Sequence, residues 1–157
     1  MARKKGRSGS GKQKRVKIGA NISAPKKKAR LSEDPTSTAK RQPVWVFSAL
    51  DEHGPWGKNR LTEDAIWNEI LPKIRSYETM TWADIERDRN RNHSVPVSSL
   101  ISDAQRRIQE LRIDVDELFR FRFNGMQRLW GIRDRERFKI LWWDPGHEVC
   151  PSQLKNT

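Results

Sequence analysis

The chain has 157 residues and a formal net charge of +12, a length that holds one domain. Its single cysteine, Cys150, excludes a disulfide framework and a cysteine zinc site, and no apolar run reaches membrane-spanning length. Met1 to Gln42 carry 14 Lys and Arg against Glu33 and Asp34, which accounts for the whole net charge and leaves the remainder balanced.

That first segment has almost no aromatic or large aliphatic content, so it cannot bury enough apolar surface to offset its conformational entropy. We read Met1 to Gln42 as a disordered basic arm, able to bind polyanions by counterion release or to serve only as a solubilising tail. It lacks the apolar stretch of a secretory signal, so a soluble, cytoplasmic protein without membrane contact is expected. From Pro43 the composition changes, and all seven tryptophans follow, in a single α+β domain spanning 43–157.

"VWVFSAL" (Val44 to Leu50) reads as a strand, and "DEHGPWGKNR" as a loop punctuated by Gly54, Pro55 and Gly57. Thr62 suits a helix cap, and Ile66, Ile70, Ile74 and Tyr77 recur on one face, with Pro72 expected to kink or divide the helix. "TWAD" (Thr81 to Asp84) has capping-box spacing and starts a short second helix. The polar stretch "ERDRNRNHSVPV" reads as a loop. A third helix follows, capped by Ser98 or Ser99, with the apolar stripe Leu100, Ala104, Ile108 and Leu111.

Three strands end the domain as an antiparallel meander: "LFRFRF", "RLWGIR" and "RFKILWW". Asn124-Gly125 predicts a two-residue hairpin, and Asp134-Arg135-Glu136 a three-residue turn. That register gathers Phe119, Phe121, Phe123, Trp130, Ile132, Phe138, Ile140 and Trp142 on a core face. It gathers Arg120, Arg122, Arg133, Arg137 and Lys139 with Leu129, Leu141 and Trp143 on the other, where Arg133 and Arg137 stand opposite one another. Directly opposed like charges destabilise a sheet unless an anion lies between them. Gly131, opposite Lys139, would leave room for a ligand. The bland alternative is that these arginines reach past apolar neighbours into water.

"DPGHEV" places Pro145 and Gly146 centrally, as a type II turn requires, and would fold His147 back toward the arginines. A histidine for proton transfer, arginines for a phosphate and Trp143 to stack a base would suit RNA cleavage without a metal. His93, in an Arg-rich stretch, is a second candidate, and His53 a weaker third. The acidic residues form no pair of metal-binding carboxylates, and the glycines form no nucleotide fingerprint, so neither metal nor cofactor is expected.

The order strand, helices, meander resembles the RelE/ParE superfamily of small toxins from bacterial toxin–antitoxin pairs. "ELFRFRFNGMQRLWGIRDRERFKILWWDPGHEV" (Glu117 to Val149) is similar to that family's "LyrlRiG…yRviy" core and last strand. The long helical region, the "WWDPGHEV" ending and the basic arm depart from the family pattern. "WGIR…LWWDPxHEVxP" is also similar to small prokaryotic proteins without an established activity. The RelE resemblance implies a basic sheet face and a terminal acid–base residue that cuts mRNA, commonly on the ribosome, and a protein antitoxin as partner. It would put Arg120 or Arg122 on the first meander strand, Arg128 or Arg133 on the second, and His147 in the acid–base place. ParE-like members poison a topoisomerase instead. The expected site is therefore His147, Arg122 and Arg133 for catalysis, with Arg120, Arg137, Lys139 and Trp143 for nucleic-acid binding. A non-catalytic nucleic-acid binder, and a partner-binding protein presenting Trp143, Leu129 and Leu141, are the alternatives.

Overall fold

The computed structural model describes residues 38–152; most of the basic arm, residues 1–37, lies outside the described residues. The fold is α+β. Five strands, β1 (Val44–Val46), β2 (His93–Pro96), β3 (Glu117–Arg122), β4 (Arg128–Asp134) and β5 (Arg137–Asp144), form one sheet in the order β1-β5-β4-β3-β2. The meander β3-β4-β5 is present as its centre, and two edge strands extend it: β1 runs parallel to β5, and β2 antiparallel to β3. β2 falls in the stretch read as a polar loop. His, Ser and Pro are poor strand formers, and Pro96 is tolerated because β2 is an edge strand.

Three helices pack on the sheet: α1 (Leu71–Glu78), α2 (Trp82–Arg87) and α3 (Ser102–Glu110). The Thr62 hydroxyl accepts from Ala65 N–H at 3.1 Å, as a cap should. Pro72 does divide the helix: Ala65–Ile70 winds as a π-helix before α1 begins. A missing proline N–H and the clash of its ring with the preceding turn are relieved by this wider winding. The capping box at Thr81 and Asp84 is complete. Ser98 and Ser99 lie instead in a 3₁₀ turn, and α3 starts at Ser102 behind Ile101, without a side-chain cap.

Both faces of the sheet are buried, by two separate clusters. Ile70, Ile74, Tyr77, Trp82 and Ile85 cover Phe119, Phe121, Phe123, Leu129, Phe138, Ile140 and Trp143. On the other side Leu100, Ala104, Ile108 and Trp56 meet Leu118, Trp130, Leu141, Trp142 and Val149. The folded contacts begin before Pro43, since the Arg41 carbonyl accepts from Trp82 N–H at 2.9 Å and its guanidinium pairs with Glu136.

Three local features set which residue faces which side. The β3–β4 loop has three residues, Asn124-Gly125-Met126, closed by Phe123 N–H to the Gln127 carbonyl at 3.0 Å. Odd residues of β3 therefore pair with odd residues of β4: Phe119 with Gly131, Phe121 with Leu129. The β4–β5 turn has two residues, with Asp134 opposite Arg137 and Arg135 at φ 59°. A bulge then interrupts β5, so that Trp130 pairs with Trp142 but Gly131 with Ile140. The extra residue turns Leu141 and Trp142 together toward the α3 side and hands Trp143 to the α1 side.

Gly131 leaves no room for a ligand. A Cβ there would lie 2.3 Å from the Lys139 carbonyl oxygen and 2.6 Å from Phe138 Cζ. Gly131→Ala should therefore cost about 1–3 kcal/mol through overpacking, read as a lower denaturant midpoint with an unchanged slope. An unshifted midpoint would contradict the strand packing described.

Asp51 ties the first loop to both α3 and β5. Its buried carboxylate accepts from Arg107 Nε at 2.9 Å and Nη2 at 2.6 Å, from Trp142 Nε1 at 3.0 Å, and from the Gly54 and His53 backbone N–H groups. Burial by itself would raise this carboxyl; the charged and neutral donors outweigh it and hold it well below the usual carboxylate range.

Candidate phosphate-binding and acid–base site

The three-residue β3–β4 loop brings Arg128 onto the face that carries Arg120 and Arg122. Arg122 and Arg128 are directly opposite in the ladder, and Arg120 stands opposite His93 on the other flank. The opposed-cation argument thus holds for Arg122 and Arg128, not for Arg133 and Arg137. Among the described residues no carboxylate forms an ion pair with Arg120, Arg122 or Arg128, whereas Arg107 has two and Arg133 and Lys139 one each.

The turn after β5 supplies the histidine. Asp144 is fully buried and accepts from Glu148 N–H at 2.8 Å, Val149 N–H at 3.0 Å and Trp130 Nε1 at 3.4 Å. Those bonds curl the chain back over the strand end. The turn is not type II, because Gly146 does not take positive φ; His147 takes it instead, at φ 57°. This left-handed conformation is unusual for a residue with a Cβ. Glu148 is held in turn by Trp56 Nε1 at 2.9 Å and Arg60 at 3.2 Å. The result sets His147 Nε2 3.3 Å from Arg120 Nη1.

Arg120 therefore touches His147 on one side and faces His93 across the β2–β3 ladder on the other. Both imidazoles lie below their ordinary range: burial is the first cause for each, followed by Arg128 and Arg120 at His147 and by Arg120 at His93. Burial also lowers Arg120. Arg128, 5 % exposed, is pulled down to about 10 by burial, with Arg120 and Arg122 adding to the effect. It stays charged near neutrality. Its Nη1 donates to the Gly125 and Gln127 carbonyls. Among the described residues, the buried Nε atoms of Arg120 and Arg128 and Nδ1 of His93 have no hydrogen-bond partner. Asp144, opposite Arg128 on β5, offsets part of this charge; the excess that remains suits an anion that accepts several hydrogen bonds, as a phosphate does.

Of the expected site, His147, Arg120 and Arg122 come together. Arg133 does not join them. The β4 register turns it to the opposite face, where its guanidinium lies 4.2 Å from the Trp82 ring centroid and pairs with Glu86. Arg137 and Lys139 share the site's face but sit at the other end of β5, Lys139 paired with Asp134 at 3.0 Å. Asp144 lies five positions beyond Lys139, roughly 16 Å of strand. Trp143 is 1 % exposed and packs on Phe123, so it has no ring face for a base. Leu129 and Leu141 are equally buried, which removes the apolar surface expected for a partner. Arg128 and His93 complete the cluster; neither stood in the expected site, although the resemblance offered Arg128 as one choice on its strand and His93 was a second candidate. The signal for Arg128 was the register of the β3–β4 hairpin, which sequence spacing alone left one residue out; the signal for His93 was the β2 strand, which the sequence reads as a loop.

Among the described residues no three His, Cys, Asp or Glu side chains are grouped so as to hold a metal ion, and no helix is long and apolar enough to cross a membrane. No protein-family model matches the chain, and neither a characterised protein nor a solved structure does.

Proposed function

We propose that this protein binds RNA and cuts it, as the resemblance of Glu117 to Val149 to RelE-type toxins implies, and that the acid–base chemistry runs between two histidines. One observation carries the reading: Arg120 lies between His147 and His93, beside the opposed pair Arg122 and Arg128. The scissile phosphate would sit on the arginines. A neutral imidazole takes the 2′-hydroxyl proton, the 2′-oxygen attacks phosphorus, and the bond from phosphorus to the 5′-oxygen breaks. The second histidine, which takes up a proton once the bound phosphate offsets the arginines that lower it, gives that proton to the 5′-oxygen. The products are a 2′,3′-cyclic phosphate and a 5′-hydroxyl end. The arginines stabilise the charge that develops on the pentavalent phosphorus. We assign the base to His147, whose Nε2 accepts from Arg120 and so carries a lone pair. With Trp143 buried, recognition rests on the sugar–phosphate backbone, not on base stacking.

The wider role we propose is the toxin half of a toxin–antitoxin pair, acting on free or ribosome-bound RNA. Controlled induction in bacteria tests it: wild type should arrest growth and create new RNA 5′ ends, and His147→Ala should do neither. Unimpaired growth with no new ends would favour the alternative, a nucleic-acid-binding protein without catalysis.

A further inference from the structure

We infer that Arg120 caps the His147 lone pair in the free protein and releases it when a phosphate group docks, so that phosphate binding itself arms the base. The inference rests on the functional reading above and names how that site is regulated.

A guanidinium has donors and no acceptor, so in the 3.3 Å contact Arg120 Nη1 donates and His147 Nε2 accepts. His147 is then neutral with its proton on Nδ1, and its lone pair is occupied. A base in that state cannot take a proton from a hydroxyl. An anion drawn to Arg122 and Arg128 offers Arg120 a better partner, because the guanidinium fork then meets a full negative charge in place of a neutral imidazole. Turning Arg120 to the anion uncovers Nε2. The same anion brings negative charge against the imidazole, which favours proton uptake.

The groups facing His147 support this from every side. Arg120 and Arg122 lie on β3 and Arg128 on β4, with Asp144 at the end of β5. His93 lies on β2 beyond Arg120. Glu148, next in the turn, is engaged by Trp56 and Arg60, and Cys150, which acts electrostatically on Arg120, follows two residues later. Asp144 is the one carboxylate acting on His147, and its oxygens already accept from the Glu148 and Val149 N–H groups. Three cations against one engaged carboxylate leave the free site hostile to an imidazolium and receptive to an anion.

The test follows the His147 imidazole by NMR across pH in the full-length protein, in sodium sulfate and in sodium chloride of equal ionic strength. Sulfate is the probe because it stays doubly charged throughout. The midpoint of His147 should rise by about one pH unit in sulfate. In Arg120→Gln it should start higher in chloride and gain little from sulfate, and Arg120→Lys, which keeps the charge but loses the fork, should fall between. Equal midpoints in the two salts for the wild type would overturn the inference, as would an undiminished sulfate rise in Arg120→Gln. If Arg120→Gln fails to fold, the wild-type comparison decides. His147-dependent RNA cleavage with an unmoved midpoint would sink the switch and leave the functional reading standing. A moved midpoint in a protein that cuts no RNA would do the reverse.

Discussion

His147→Ala should lower the rate of RNA cleavage by about 10²- to 10⁴-fold, the usual worth of one positioned acid or base, while affinity for uncleavable RNA stays within a few-fold. The split follows from the geometry: binding rests on three arginines that form no ion pair with a carboxylate among the described residues, whereas His147 meets the cluster through a single contact with Arg120. His93→Ala should lose a comparable factor. Arg122→Ala, on the half-buried edge of the cluster, should lose about 10²- to 10³-fold in rate, as a missing transition-state donor does. Arg133→Ala is the contrast. It removes the contact with Trp82 and the pair with Glu86, so it should lower stability and leave the cleavage rate of the folded protein intact. Single-turnover kinetics on all four variants checks the set; a rate loss in Arg133→Ala with none in Arg122→Ala would place the chemistry on the other face.

The largest effect on stability is expected at Asp51. Asp51→Ala leaves Trp142 Nε1 and the Gly54 N–H without their acceptor and Arg107 with Glu110 as its remaining carboxylate. Breaking a buried pair from one side costs about 3–5 kcal/mol, and the part-exposed Arg107 puts this case at the lower end. Against the 5–15 kcal/mol typical of a domain, the loss is large, and urea unfolding should show it. The pH dependence has a defined sign. Because the folded carboxyl lies below its unfolded value, the unfolded state binds more protons as pH falls. The Asp51 contribution is therefore complete above the ordinary carboxylate range and is lost as pH drops through and below it. Asp51→Asn should flatten that acid limb. A variant with wild-type stability at pH 7 would show that the Asp51–Arg107 network is not what joins the loop to the sheet.

Much of the fold was legible because its signals are local. The Thr62 cap, the Thr81–Asp84 box, the break at Pro72 and the meander each depend on residues a turn apart. The faces of the sheet were not, because a pleat has period two and one residue inverts it. Reading Asn124-Gly125 as the whole loop omitted Met126, and reading Asp134 into the second turn added a residue. The two errors cancel by Phe138 and Ile140, which sit among the expected phenylalanines. They do not cancel between the turns, so Trp130 and Arg133 exchange faces with Leu129 and Arg128. The bulge at Leu141 then reverses Trp142 and Trp143, and nothing in "KILWWD" announces it. His147 was legible through its place after the last strand, but for an incomplete reason: Asp144 and the left-handed His147 backbone make the turn, not Gly146. His93 was hidden by its own strand, whose composition reads as loop.

The most direct test of a two-histidine phosphate site is the chemistry of the ends it makes. Purified full-length protein is incubated in chelator with an RNA oligonucleotide, free and ribosome-bound, and the products are weighed by mass spectrometry. The account predicts 2′,3′-cyclic phosphate and 5′-hydroxyl ends, absent with 2′-deoxy substrate and absent from His93→Ala/His147→Ala. Intact RNA in both forms would contradict it. So would 5′-phosphate ends, or cleavage that survives the double substitution.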